Sequence, residues 1–142
     1  MNKVVINNCY GGFSLSMKAL QLLYKKKGEE YNYPYNYNFV DEKFYKCPLE
    51  EAEWLFKEDM GNVIDKETFN NNNSQICCYD LNCPRHDKDL VEVVEELGPD
   101  AGGECAYLKV AEISGNSYRI YEYDGNEWVE TPESIDWIKI AD

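Results

Sequence analysis

Apolar residues recur with two periods along this chain, every third or fourth position in the early stretches and every second position in the last third. Within Lys3 to Cys9 the run Val4-Val5-Ile6 predicts a short strand entering the core, and it stops at the adjacent glycines Gly11 and Gly12. Beyond them Leu15, Ala19, Leu20, Leu22 and Leu23 lie at helical spacing, with Ser14 or Ser16 placed to cap the helix they predict. Lys25, Lys26 and Lys27 suit the negative end of that helix, and Gly28 suits the left-handed residue after it.

The middle of the chain is less regular. Residues 31–39, YNYPYNYNF, alternate aromatic and polar side chains as a strand does, but Pro34 cannot donate to a ladder, which predicts an edge strand or a loop. Residues 47–61, CPLEEAEWLFKEDMG, predict a second helix, with Pro48 in its first turn and Gly61 as terminator. Its buried stripe would be Leu49, Ala52, Leu55 and Phe56. The polar stretch that follows contains the asparagines Asn70 to Asn73 and reads as a mobile insertion around residues 62–76. A third helix follows Asp87 as cap, with Leu90, Val91, Val94 and Leu97 as its stripe and Gly98-Pro99 as its stop.

In the last third, AYLKVAEI, SYRIYEYD and EWVE are β-rich runs separated by Gly115-Asn116 and Asp124-Gly125-Asn126, and they predict an antiparallel meander. SIDWIKI predicts one more strand, with Ile135, Trp137 or Ile138 inward. The expected architecture is a single α+β domain over residues 1–142, with an N-terminal strand and helices packed on a mostly antiparallel sheet.

Composition narrows what such a domain can do. A chain of 142 residues can bury roughly 68–70% of its unfolded surface, and 44% apolar residues suffice for a core. Fourteen basic and 27 acidic residues leave a formal charge of −13, which repels phosphate backbones and argues against direct nucleic-acid binding. The same charge would suit a nucleic-acid mimic that occupies a basic protein. The N-terminus lacks the apolar core of a signal peptide, and no segment approaches the roughly 20 apolar residues of a membrane span, so a soluble intracellular location is expected. Among the six cysteines, Cys77, Cys78 and Cys83 precede His86 in a C-C-x4-C-x2-H pattern. The types suit zinc, but the spacing lacks paired C-x2-C knuckles, so reduced structural thiols with neither metal nor cofactor are expected.

Only Arg85, Arg119 and His86 offer a fork-shaped cation or a proton carrier near neutrality, and two of them adjoin in PRHD. Asp87 beside them suits a helix cap or a partner that orients the histidine. A strand, two glycines and a helix start would also expose N–H groups to an anion. No dinucleotide or triphosphate motif is present, and tight turning alone would explain the glycines. A candidate ligand site therefore comprises Tyr10, Gly11, Gly12, Phe13, Ser14, Arg85, His86 and Asp87, with Tyr10 and Phe13 flanking a ring. A cysteine nucleophile would need His86, which makes Cys9 with His86 the one conceivable hydrolytic pair.

The stretches KVVINNCYGGFSLS, PRHDKDLVEVVEELG, AYLKVAEI and YRIYEYDGNEWV resemble a widespread group of uncharacterised proteins from phages and large DNA viruses. Members of that group open with V-I-N-x-C-Y-G-G-F-x-L-S and continue with P-R-x-D-x-x-L-V-x-V-V-E-E-L-G. The likeness covers about half of the chain, leaves out residues 29–75, and falls short at His86, where the group varies. It implies a viral origin and a setting in the host cytoplasm, and it brings no activity.

Three functions are expected to compete. The first is a viral accessory protein, in the service of evading host defence, that sequesters a small anionic, nucleotide-like ligand. The second is an acidic inhibitor of a host protein that mimics nucleic acid, and the third is a cysteine-dependent hydrolase. No membrane partner is expected, and a second copy of the chain is a further partner consistent with the sequence.

Overall fold

The computed structural model describes residues 1–72, 74–77, 81–134 and 140. Strand β1 (Asn2–Asn7) is followed by helix α1 (Met17–Lys26), and then by β2 (Tyr33–Asn38), β3 (Lys43–Lys46), β4 (Trp54–Phe56) and β5 (Val63–Asp65). Helix α2 (Lys66–Asn70), strand β6 (Ile76–Cys77), helix α3 (Lys88–Leu97) and strands β7 (Leu108–Ile113), β8 (Arg119–Tyr123) and β9 (Asn126–Glu130) complete it. Every ladder among the described residues is antiparallel, and the α+β class expected from the sequence is the class observed.

Five strands form one sheet in the order β5-β3-β2-β4-β6, while β1 pairs with β7 and β8 pairs with β9. The larger core lies between α1, α3, the β1–β7 pair and one face of the five-stranded sheet, where Val5, Leu20, Leu23, Leu55, Leu90 and Val93 meet. On the opposite face of that sheet Tyr35, Phe44, Phe56 and Ile64 pack with Phe69 of α2. A third cluster joins Val4 and Ile6 of β1 to Ile120 and Val129 of the β8–β9 hairpin. Because helices cover one face of β1 and the hairpin covers the other, its inner residues are apolar without alternation.

Helix α1 starts where Ser16 accepts the Ala19 N–H at 3.1 Å, and α3 starts where Asp87 accepts the Leu90 N–H at 3.0 Å. Gly28 and Gly98 then take φ of +85° and +55° after the two helices. Lys26 of α1 reaches Glu92 and Glu96 of α3, and Lys27 just past α1 reaches Asp89 and the cap residue Asp87, so the two helices lie side by side.

Four expectations change. The second helix is absent: Leu49–Glu51 is one 3-10 turn, and WLF is β4, with Leu55 and Phe56 buried on opposite faces of the sheet. A short run buried on both faces carries no period, so the helical spacing of Leu49, Ala52, Leu55 and Phe56 was coincidental. Strand β2 is the middle strand, not an edge. Pro34 fits there because its carbonyl accepts the Cys47 N–H just beyond the end of β3, so its absent N–H falls outside that ladder. The stretch read as a mobile insertion contains regular elements among its described residues: β5, α2 capped by Asp65, and the start of β6. Finally, β7 turns away to pair with β1, so of the three runs of the expected meander β8 and β9 pair with each other and β7 does not join them. The strand expected at SIDWIKI lies largely outside the described residues.

Candidate functional site: a carboxylate-filled cradle

Strand β1 points the peptide groups of its even-numbered residues at β7, so those of Val5 and Asn7 face the other way. The segment containing Arg85 covers that edge. Its carbonyl accepts the Val5 N–H at 2.8 Å, and its Nη1 donates back to the Val5 carbonyl at 3.2 Å. The guanidinium then forks onto Glu127 of β9, Nη1 to Oε1 at 2.7 Å and Nη2 to Oε2 at 2.9 Å. Glu127 Oε1 also accepts the Asn7 N–H at 2.8 Å. A carboxylate thus completes the edge of β1 where a neighbouring strand would otherwise lie.

Phe13 closes one side of this cradle, with the Arg85 guanidinium carbon 3.5 Å from the centre of its ring. Asn7, fully buried, uses its whole side chain: Nδ2 donates to the carbonyls of Gly125 at 2.7 Å and Cys9 at 2.9 Å, and Oδ1 accepts the Tyr107 N–H at 2.9 Å. Gly125, with φ +90°, lies against the glycine pair; a Cβ there would come within 2.5 Å of the Gly11 nitrogen and closer still to that of Gly12. On the other side a Cβ at Gly11 would come within 2.6 Å of Cys105 Cβ. The glycines therefore permit three backbone segments to meet, a stronger requirement than a turn.

The structure brings together part of the expected site. Gly11, Gly12, Phe13 and Arg85 belong to one cluster. The expected opening of the glycines directly into a helix N-terminus is not built. Ser14 accepts the Gly103 N–H at 3.0 Å, Leu15 bridges to Gly102, and Ser16, whose Oγ donates to Asp100, caps α1 four residues after Gly12. Tyr10 stands at the surface. His86 turns outward, where its Nδ1 lies 2.7 Å from the Tyr118 hydroxyl. Burial pushes the Tyr118 hydroxyl above its usual pKa, against the opposing pull of Arg85 and the His86 backbone.

Asp87 caps α3 and pairs with Lys27 Nζ at 2.9 Å, and so takes the first of its two sequence-based roles. Burial opposes its ionisation, but the Lys27 ammonium and the Leu90 N–H outweigh it and hold the carboxyl below its ordinary 3.8. A carboxyl with a lowered folded-state pKa contributes stability that is complete above its unfolded value and fades as pH falls through the folded one. Asp87→Asn is therefore expected to melt below the wild type at neutral pH, with the gap narrowing once pH drops under 3.8. A gap that is constant between neutral pH and acid in calorimetric scans would remove the ion pair from this account.

For the hydrolytic reading, no hydrogen bond joins Cys9 to His86 among the described residues, and the His86 ring is engaged by Tyr118. Cys47 and Cys83 are partly buried, and burial raises both thiols above their usual pKa, which suits packing better than nucleophilic attack. Cys78 of the zinc pattern lies outside the described residues, and no group of three His, Cys, Asp or Glu among the described residues could hold a metal ion. No helix among them is long and apolar enough to cross a membrane.

Glu127 and Asn7 escaped the sequence reading of the site, and Gly125 entered it only as a turn residue. Their signals were an asparagine ending an apolar strand, and a glutamate two positions before Val129 on the inward face of a strand; a carboxylate at a core position needs a cation. Fold and site together define an α+β protein whose anion cradle is closed by its own carboxylate. Comparison with known protein families, with curated proteins and with solved structures gave no match to this chain.

Proposed function

We propose that the chain is a viral accessory protein that acts in the host cytoplasm by binding a basic host protein through its acidic surface. One observation carries this reading: the two arginines, the only side chains able to fork onto an anion, are committed internally. Both hold carboxylates, Arg85 on Glu127 and Arg119 on Glu130, and Lys26 of α1 and Lys27 just past it are paired to α3 and its cap. Exposed carboxylates such as Asp41, Glu42, Glu50, Glu51, Glu58 and Glu67 stay outside the ion pairs between described residues. Such a surface attracts a basic protein and repels a phosphate-bearing ligand.

The test is capture of host proteins followed by calorimetry on the purified partner. Expected is a basic partner whose affinity drops about tenfold or more between about 50 and about 300 mM salt. Binding indifferent to salt would count against the acidic surface. A small nucleotide-like anion is the second reading, supported by the convergence of Gly11, Gly12, Phe13 and Arg85, and it requires Glu127 to yield its place. A thermal-shift panel of nucleotides and cyclic nucleotides decides it; a rise in melting temperature with one of them would restore this reading.

A further inference from the structure

The turn joining β2 to β3 departs from the usual chemistry of turns. Its first two residues are Phe39 and Val40, 81% and 95% exposed, where Gly, Asn, Asp or Ser would be ordinary. The turn is nonetheless firmly built. Asn38 Oδ1 accepts the Val40 N–H at 2.8 Å, the Asn38 carbonyl accepts the Glu42 N–H at 2.9 Å, and Asp41 Oδ1 accepts the Lys43 N–H at 3.2 Å. Tyr45 adds its hydroxyl to Asp41, Glu42 takes φ +58° to close the turn, and Phe39 leans edge-on against Tyr37 at 4.9 Å. Polar side chains thus fix the backbone while an aromatic and a branched aliphatic residue project from it. An ordered projection loses little entropy on docking, which is the usual basis of an anchor.

Its surroundings are acidic. Asp41 and Glu42 lie in the turn itself, and Asn36, two residues before the end of β2, donates to the Glu51 carbonyl, which brings the exposed Glu50-Glu51 turn alongside the same strand. Lys43 is the cation beside them in sequence. An apolar tip with a carboxylate rim is the complement of an apolar pocket rimmed by lysine or arginine, and the rim opposes insertion into an anionic lipid surface.

We propose that Phe39 and Val40 at the β2–β3 turn are the anchor by which this protein seats in an apolar, basic-rimmed pocket of a partner protein. This assignment rests on the protein-binding reading above and adds where the contact is made.

Two labelled synthetic peptides of equal positive charge, an oligolysine and a lysine–leucine peptide, serve as probes in fluorescence anisotropy at fixed low salt. The wild type is expected to bind the lysine–leucine peptide roughly tenfold more tightly than oligolysine. Val40→Ser and Phe39→Ser should erase that preference while leaving oligolysine affinity and the melting temperature nearly unchanged. Val40 is so exposed that its variant keeps the anchor testable even where Phe39→Ser disturbs Tyr37. Equal binding of the two peptides by the wild type, or a preference that survives both variants, overturns the anchor and leaves the acidic surface standing. Failure of both peptides to bind overturns both readings. Co-sedimentation of the protein itself with phosphatidylcholine vesicles, lost in Phe39→Ser and Val40→Ser, overturns the anchor in favour of a lipid.

Discussion

Glu127→Ala is expected to lower the stability of the fold by about 3–5 kcal/mol, because it strands a guanidinium inside the structure and removes the acceptor of the Asn7 N–H. The size follows from burial: the Glu127 side chain is 6% exposed and that of Arg85 22%, so neither charge is rescued by water at no cost. Arg85→Ala should cost a similar amount, since it leaves the more deeply buried carboxylate alone. The double variant Arg85→Met with Glu127→Met should recover much of the loss, because apolar side chains of similar volume often replace a buried ion pair without penalty. Urea melts of the four proteins check this, and a single-variant loss of under about 1 kcal/mol would reclassify the pair as a surface contact. Arg85 is consequently a poor probe of ligand binding. A loss of binding in Arg85→Ala would report a damaged fold as readily as a lost contact, and only a stability measurement beside it separates the two.

The second large effect is expected at Gly125. A methyl group there would meet the Gly11 and Gly12 nitrogens, which are backbone and cannot swing aside, and φ +90° is itself strained for an L side chain. Overpacking and left-handed strain together put Gly125→Ala at about 2–5 kcal/mol of lost stability. Gly12→Ala has open space around its added carbon and keeps only the strain of φ +88°, so about 1–2 kcal/mol is expected. Thermal melts of the two variants side by side discriminate between close approach and turn geometry. Equal losses would mean that the glycines serve the turn alone.

What the sequence disclosed follows from which forces act locally. Helices α1 and α3 carry their own caps, stripes and stop residues, so Asp87, Gly28 and Gly98 were placed correctly and Ser16 is one of the two serines offered as cap of α1. β8 and β9 announced themselves through the Asp124-Gly125 turn between them. The stretch 49–56 misled because its fate depends on β2 and β6, which flank it from distant parts of the chain. Pro34 misled for a related reason: the rule about proline in sheets concerns which side its nitrogen faces, and that side is known only once β3 is seen to end at Lys46. At the site, Gly11, Gly12, Phe13 and Arg85 were legible as chemistry that is scarce in this chain. Glu127 was not, because one carboxylate among 27 acidic residues carries no mark until its inward face is known.

The long-range closure of the chain sets the timing of its birth on the ribosome. Asn7 is bound by Tyr107 across a hundred residues of sequence, and its N–H by Glu127 across 120. At about 5–20 residues per second, strand β1 waits roughly 5–20 s before β7 is even made, and Val4 and Ile6 wait longer still for the β8–β9 hairpin that covers them. Strand β1 emerges long before the partners that cover it, and a nascent chain in that state is a client for whatever holds apolar segments apart until synthesis ends.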